Sequence, residues 1–197
     1  MTSVETMATY IGTKVGGGLD FISSSGAIAD ATASVSFTGF DASKYEGYLF
    51  LIGNVFPGAD NRQLHLLTSS DGGSNYDNSQ NNYAENTHKF AIGSNALVHS
   101  SNNGTTQIRI ADQVGLVTTS ETNMGITGKV EIHFPHLAKY TTIDSYTSYY
   151  NVSDVYTRQV GSGVRESAAA VNAVRFIING AQGFGSGEIT MYGRVNS

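Results

Sequence analysis

The sequence predicts an all-β domain, a sandwich or a barrel, preceded by an extended N-terminal arm. Three features point there. Charged residues make up only 14% of the 197-residue chain, against about a quarter in typical domains, and Gly, Ser, Thr and Asn fill the gap. Hydrophobic residues make up 40%, with 11 Tyr and 9 Phe, which is enough for a packed core and unlike a disordered chain. Short segments alternate apolar and polar side chains between clusters of turn formers, which is the period of strands. The length fits a single domain, 19–197.

The elements follow in order. Residues 1–18 are small and polar, with one apolar pair, Tyr10 and Ile11, and they end in Gly16, Gly17 and Gly18. This reads as a flexible arm with a short anchor and a hinge; whether it docks on a neighbouring subunit or is a plain tail stays open. Residues 19–23 are short and apolar. "ASVSFTGF" places Val35 and Phe37 on one face, and "YEGYLFLIGNVF" (45–56) is nearly continuous, as a buried central strand would be. "RQLHLLTSS" (62–70) and "TTQIRIA" (105–111) follow. "GKVEIHF" (128–134) turns Val130, Ile132 and Phe134 inward and Lys129, Glu131 and His133 outward. "TTIDSYTSYY" (141–150), "AVNAVRFIIN" (170–179) and "EITMYGRV" (188–195) complete a set of about eight strands. Only 42–47 and 165–174 have helix-like composition. Residues 77–104 and 112–127 read as long loops.

Charge and composition exclude several classes of function. The net charge is −5, the pI is about 5.4, and no Lys/Arg cluster is present, so nucleic acid is not an expected partner. Without cysteine there is no disulfide and no thiolate metal site. The N-terminus lacks a basic start and an apolar core, so no secretory signal is expected. No run of about 18 apolar residues predicts a membrane span. A protein of this kind working outside a cell would leave by lysis or on a particle.

The chemistry-bearing motifs are sparse. "LTSSDGGSNYD" (67–77) resembles the Asp-box turn of sialidase-like propellers. Ser69, Asp71 and Gly73 match it, while Asn75 and Tyr76 stand in place of Thr and Trp. A single box in a chain too short for a propeller predicts a hairpin turn. Asp71 caps it, Gly72 or Gly73 takes a positive φ, and Tyr76 packs back. Calcium would need more convergent oxygens than Asp71 and Asp77 supply. "HFPH" (133–136) is the only close histidine pair, and no HExxH or GxSxG occurs. "GFGSGE" (183–188) reads as a turn. Tyr146, Tyr149 and Tyr150 form a tyrosine-rich stretch that reads as a half-buried sheet surface, a subunit contact or a glycan-stacking face. No catalytic residue, cofactor or metal ligand is expected.

Three stretches taken together carry a resemblance: "LDFISSSGAIADATASVSFTGF", "YEGYLFLIGNVFPGADNRQLHLLTSSDGGSNY" and "AAAVNAVRFIINGAQGFGSGEITMYGRV". The chain resembles a family of small virion proteins of tailed phages, marine and cyanobacterial phages in particular, over 19–76 and 168–195. The resemblance implies a jelly-roll β-sandwich, assembled as a homotrimer on the outside of a virion, with no catalytic residues. The leading expectation is a capsid decoration (cement) protein that binds the major capsid protein or other virion proteins. The chain has no heptad run or repeat to form a tail-fibre stalk, which favours the head. The alternative is a tail fibre or appendage that binds host glycan through 77–104 and the 146–150 face. A small glycosidase or lyase is the third reading.

Overall fold

The computed structural model describes residues 18–93, 97–116 and 124–195. Among them the chain forms twelve strands and no helix. They are β1 (Leu19–Ser24), β2 (Ser34–Phe37), β3 (Tyr45–Pro57), β4 (Arg62–Ser69), β5 (Tyr83–Ala91), β6 (Leu97–Thr105), β7 (Ile108–Val114), β8 (Ile126–His133), β9 (Thr141–Tyr150), β10 (Tyr156–Arg165), β11 (Ala173–Ile178) and β12 (Phe184–Val195). An eight-stranded sheet runs β1-β12-β3-β8-β9-β10-β5-β6, and a four-stranded sheet runs β2-β11-β4-β7. All pairings are antiparallel. The small sheet packs on the large one as a β-sandwich, the predicted class.

Several expectations need correction. The strands number twelve, not about eight, because 77–104 contains β5 and all of β6 but its last residue, and Tyr156–Arg165 forms β10. Neither helix-like segment is helical: 42–44 make a turn closed on the Asp41 carbonyl, and 166–172 are irregular. Buried Arg165 holds that second segment. Its Nε donates to Asp77 Oδ2 at 2.6 Å, and its Nη1 donates to the Ala169 carbonyl at 2.7 Å. Phe134 does not point inward: β8 ends at His133, and Phe134 has φ 46° and is exposed.

The core has two halves of different chemistry. Under β2, β11, β3 and β12 it is apolar. Phe37, Phe50 and Phe176 meet edge to face at 5.3–6.2 Å between centroids, with Leu64, Leu66, Ile189 and Met191 fully buried around them. Each ring contributes through buried area plus aromatic geometry. Under β5, β9 and β10 the core is polar. Glu85, Thr87, Thr147, Tyr149 and Gln159 are buried there and face β7.

That polarity has a structural cause. β7 ends the small sheet, and its free edge would leave backbone groups unpaired inside the sandwich. Side chains of the large sheet take those places. The Arg109 N–H donates to the Glu85 carboxylate. The Thr147 hydroxyl donates to the Ile110 carbonyl at 2.9 Å. The Asp112 N–H donates to the Tyr149 hydroxyl oxygen at 3.1 Å, and that hydroxyl donates to Gln159 Oε1 at 2.9 Å. The Gly115 N–H then reaches the Tyr150 carbonyl at 2.9 Å, closing the corner. β7 packs so closely on β10 that a Cβ on Gly163 would lie 2.8 Å from Ile108 Cδ1.

Replacing Tyr149 by Phe leaves the buried Asp112 N–H without its acceptor. Urea unfolding should show a loss of about 1–3 kcal/mol. Tyr150→Phe, on the outer face, should change stability by less than about 0.5 kcal/mol.

Candidate functional site

The outer face of the large sheet carries the candidate site. Strand parity puts Tyr146, Ser148 and Tyr150 of β9 on this face and Tyr149 on the opposite one. The structure therefore divides the predicted tyrosine surface. Tyr149 is 1% exposed and belongs to the core, whereas Tyr146 is 37% exposed. Beside Tyr146 lie Tyr156, Arg158 and Val160 of β10 and Phe90 of β5, followed by Ile92. They line a depression of about 470 Å³. Arg158 sits over the Tyr146 ring at 4.9 Å, and Tyr150 meets Tyr156 edge-on at 5.7 Å. Pairing of β5 with β10 and of β10 with β9 brings part of 77–104 beside the tyrosine strand.

Two further depressions continue from this shelf. One, of about 320 Å³, shares Tyr146 and Val160 with it and adds Asn86, Lys129, Glu131, Asp144 and Ser162. The next, also about 320 Å³, shares Lys129 and Glu131 and reaches Leu19, Leu49, His133 and Arg194. The result is a trough crossing the strands, with an aromatic shelf at one end and charged groups from its middle to the other end. In that middle Lys129 pairs with Glu131. The Asp144 carboxylate is held by His133 Nε2 at 3.1 Å and by the Ser162 hydroxyl at 2.9 Å.

The turn at 69–76 lies elsewhere. The Ser69 hydroxyl donates to Asp71 Oδ1 at 2.8 Å, the Asn75 N–H donates to the same oxygen at 2.8 Å, and Asn75 Nδ2 donates to Asp71 Oδ2 at 2.7 Å. These bonds, the Asn75 amide first, hold the Asp71 carboxyl down at about 2. Gly72 and Gly73 both have positive φ, 74° and 90°, and Arg175 stacks on Tyr76 at 3.9 Å. The turn is not a hairpin between paired strands. β4 pairs with β11 and β7, so 69–77 carries the chain from the small sheet toward β5 in the large one. Asn172 fastens it from the far side, accepting from the Gly72 N–H at 2.7 Å and donating to the Ser70 carbonyl at 3.0 Å. Tyr10, Ile11, Gly16 and Gly17 lie outside the described residues, and the Gly18 carbonyl accepts from the Val195 N–H at 3.1 Å.

The densest set of titratable groups belongs to the β7 seam. Lys89 Nζ pairs with Asp112 Oδ2 at 2.7 Å, and Arg109 Nη2 pairs with Glu85 Oε1 at 3.3 Å. Gln63 also donates to Asp112, at 2.6 Å. Burial pushes the Asp112 carboxyl up, but the Lys89 and Gln63 hydrogen bonds and the Lys89 and Arg109 charges outweigh it and hold it below its ordinary value. Burial, then the Arg109 charge, pulls His65 down to about 4. These groups face each other and the β7 backbone, an arrangement that closes a sheet edge. Among the described residues no group of three or more His, Asp or Glu could hold a metal ion.

Sequence reasoning missed Arg158, Val160, Phe90 and Ile92. Alternation in "YTRQVGSGV" was the available signal, but Gly161 and Gly163 interrupt its hydrophobic pattern. No protein-family model matches the sequence, and no curated protein matches it.

The seam sets a pH response. The unfolded chain protonates His65 near 6.5 while the folded chain resists until about 4, so stability falls as pH drops through that window, by about 3 kcal/mol at most. Asp112, with its lowered folded value, adds a further loss below its unfolded value of about 4. Urea midpoints should therefore decline from pH 7 to pH 4.5, and His65→Leu should flatten that part of the profile.

Proposed function

We propose that the protein is a non-enzymatic structural protein of a tailed-phage particle, a trimeric decoration protein on the outer surface of the head. The observation that supports it most is the state of the large sheet's two edges. β6 lies beyond the cover of the small sheet; its backbone edge is unpaired among the described residues, and Leu97 and Val98 are about half exposed. β1, at the other end, presents Leu19 and Phe21, the latter 62% exposed. β6 lacks the usual protection, since it carries no Asp, Glu, Lys or Arg and no proline, whereas β1 is short, carries Asp20 and has a bulge. An edge like β6 fits a chain whose neighbours complete its surface. The resemblance over 19–76 and 168–195 supports the same reading, and it falls on strands and turns that build the sandwich. The major capsid protein is the proposed partner, with the 1–18 arm adding contact area.

Light scattering after size exclusion should give a mass near three times 20.9 kDa. Val98→Lys, which places a charge on the β6 edge, should shift the protein to monomer while leaving its circular dichroism unchanged. A wild-type monomer at every concentration, or a Val98→Lys variant that stays trimeric, would count against assembly through this edge.

A further inference from the structure

We propose that the trough across the outer face of the large sheet binds an extended, neutral oligosaccharide. The site is distinct from the β6 edge used in the assembly reading, although its far end reaches Leu19 of β1. The three depressions are continuous: Tyr146 and Val160 line the first and second, and Lys129 and Glu131 line the second and third. They cross β5, β10, β9, β8, β3, β12 and β1 in turn. At a strand spacing of about 4.8 Å, those six steps span about 29 Å. That length suits a chain-like ligand rather than a compact one.

The chemistry of the floor selects the class. Its charges sum to zero: Lys129 pairs with Glu131, Arg194 pairs with Glu46 at 2.9 Å, and Asp144, held by His133, and Arg158, over the Tyr146 ring, carry opposite charges without pairing. A polyanion gains nothing from a neutral trough. A protein partner would have to desolvate Lys129, Glu131 and Asp144 at the centre of its footprint, where interfaces are depleted of charge. A sugar chain carries hydroxyls that both donate and accept. It can bond to carboxylate, ammonium and amide groups that remain partly hydrated. Its C–H faces match the rings of Tyr146 and Tyr156 and the apolar surface of Val160, which are rigid and cost little entropy to use. The apolar shelf and the charged stretch beside it thus offer the two kinds of contact that a sugar ring makes.

The test is a glycan array of neutral and acidic oligosaccharides probed with the full chain, followed by calorimetry with the best neutral ligand as its disaccharide and hexasaccharide. Binding to neutral chains, tighter for the hexasaccharide, is expected. Tyr146→Ala and Asp144→Ala should each weaken it about tenfold or more, with mass and circular dichroism unchanged. Both side chains face outward, so neither substitution removes core packing. No binding on the array would overturn the proposal. So would binding confined to acidic glycans, or affinity unaffected by both variants. A change of mass in Tyr146→Ala without glycan binding would assign this face to a protein contact instead. The result is separable from the assembly reading, because the Val98→Lys variant tests that edge without touching the trough.

Discussion

The hydrogen bonds that large-sheet side chains make to the free edge of β7 shape the whole sandwich. A sheet edge buried inside a sandwich needs partners, and here Glu85, Thr147 and Tyr149 supply them in place of another strand. From that follow the polar interior on this side and the glycine opposite Ile108. The ion pairs to Lys89 and Arg109 follow too, since they neutralise carboxylates that would otherwise be buried alone. The seam also ends the small sheet at β7. With only four strands above eight, β6 is left uncovered, and the edge proposed for assembly comes from the same arrangement that seals the interior.

The other half of the molecule is held differently. The aromatic trio of Phe37, Phe50 and Phe176 packs β2 and β11 of the small sheet onto β3 of the large one. A backbone bridge between Thr32 and Phe184 ties the sheets at that corner, as the bridge between Val114 and Asn151 does at the other. Arg165 pins the irregular 166–172 segment to the loop that follows β4, with Asn172 reinforcing the same junction. Side chains from seven of the eight large-sheet strands line one trough on the outer face.

The central strands were legible because their inner side chains are apolar. β3, β8 and β12 alternate or run apolar in the way that burial demands, and the all-β class followed from them. β5 and β10 were hidden because their inward positions hold Glu85, Thr87, Thr157 and Gln159, residues that read as solvent-facing until a β7 edge is placed beneath them. β6 has no buried face to write a pattern. The tyrosine stretch shows the limit most clearly. Parity separates Tyr149 from Tyr146 and Tyr150 from the sequence alone, but which side meets the core depends on Asp112, 37 positions away. The trough is assembled by long-range pairing and leaves no local motif. The turn at 69–76 is local, so Ser69, Asp71, Gly72, Gly73 and Tyr76 could be read together, although its role as a link between sheets could not.

One edge sealed from within and another left open for a neighbour is the central claim, and hydrogen–deuterium exchange of backbone amides at several protein concentrations tests it most directly. The Arg109 and Asp112 amides should exchange slowly at every concentration, like amides inside a sheet. The β6 amides that point away from β5 should exchange quickly in dilute monomer and slowly once the protein assembles. Rapid exchange at Arg109 and Asp112, or free-edge β6 amides that exchange equally fast in both states, would contradict the account.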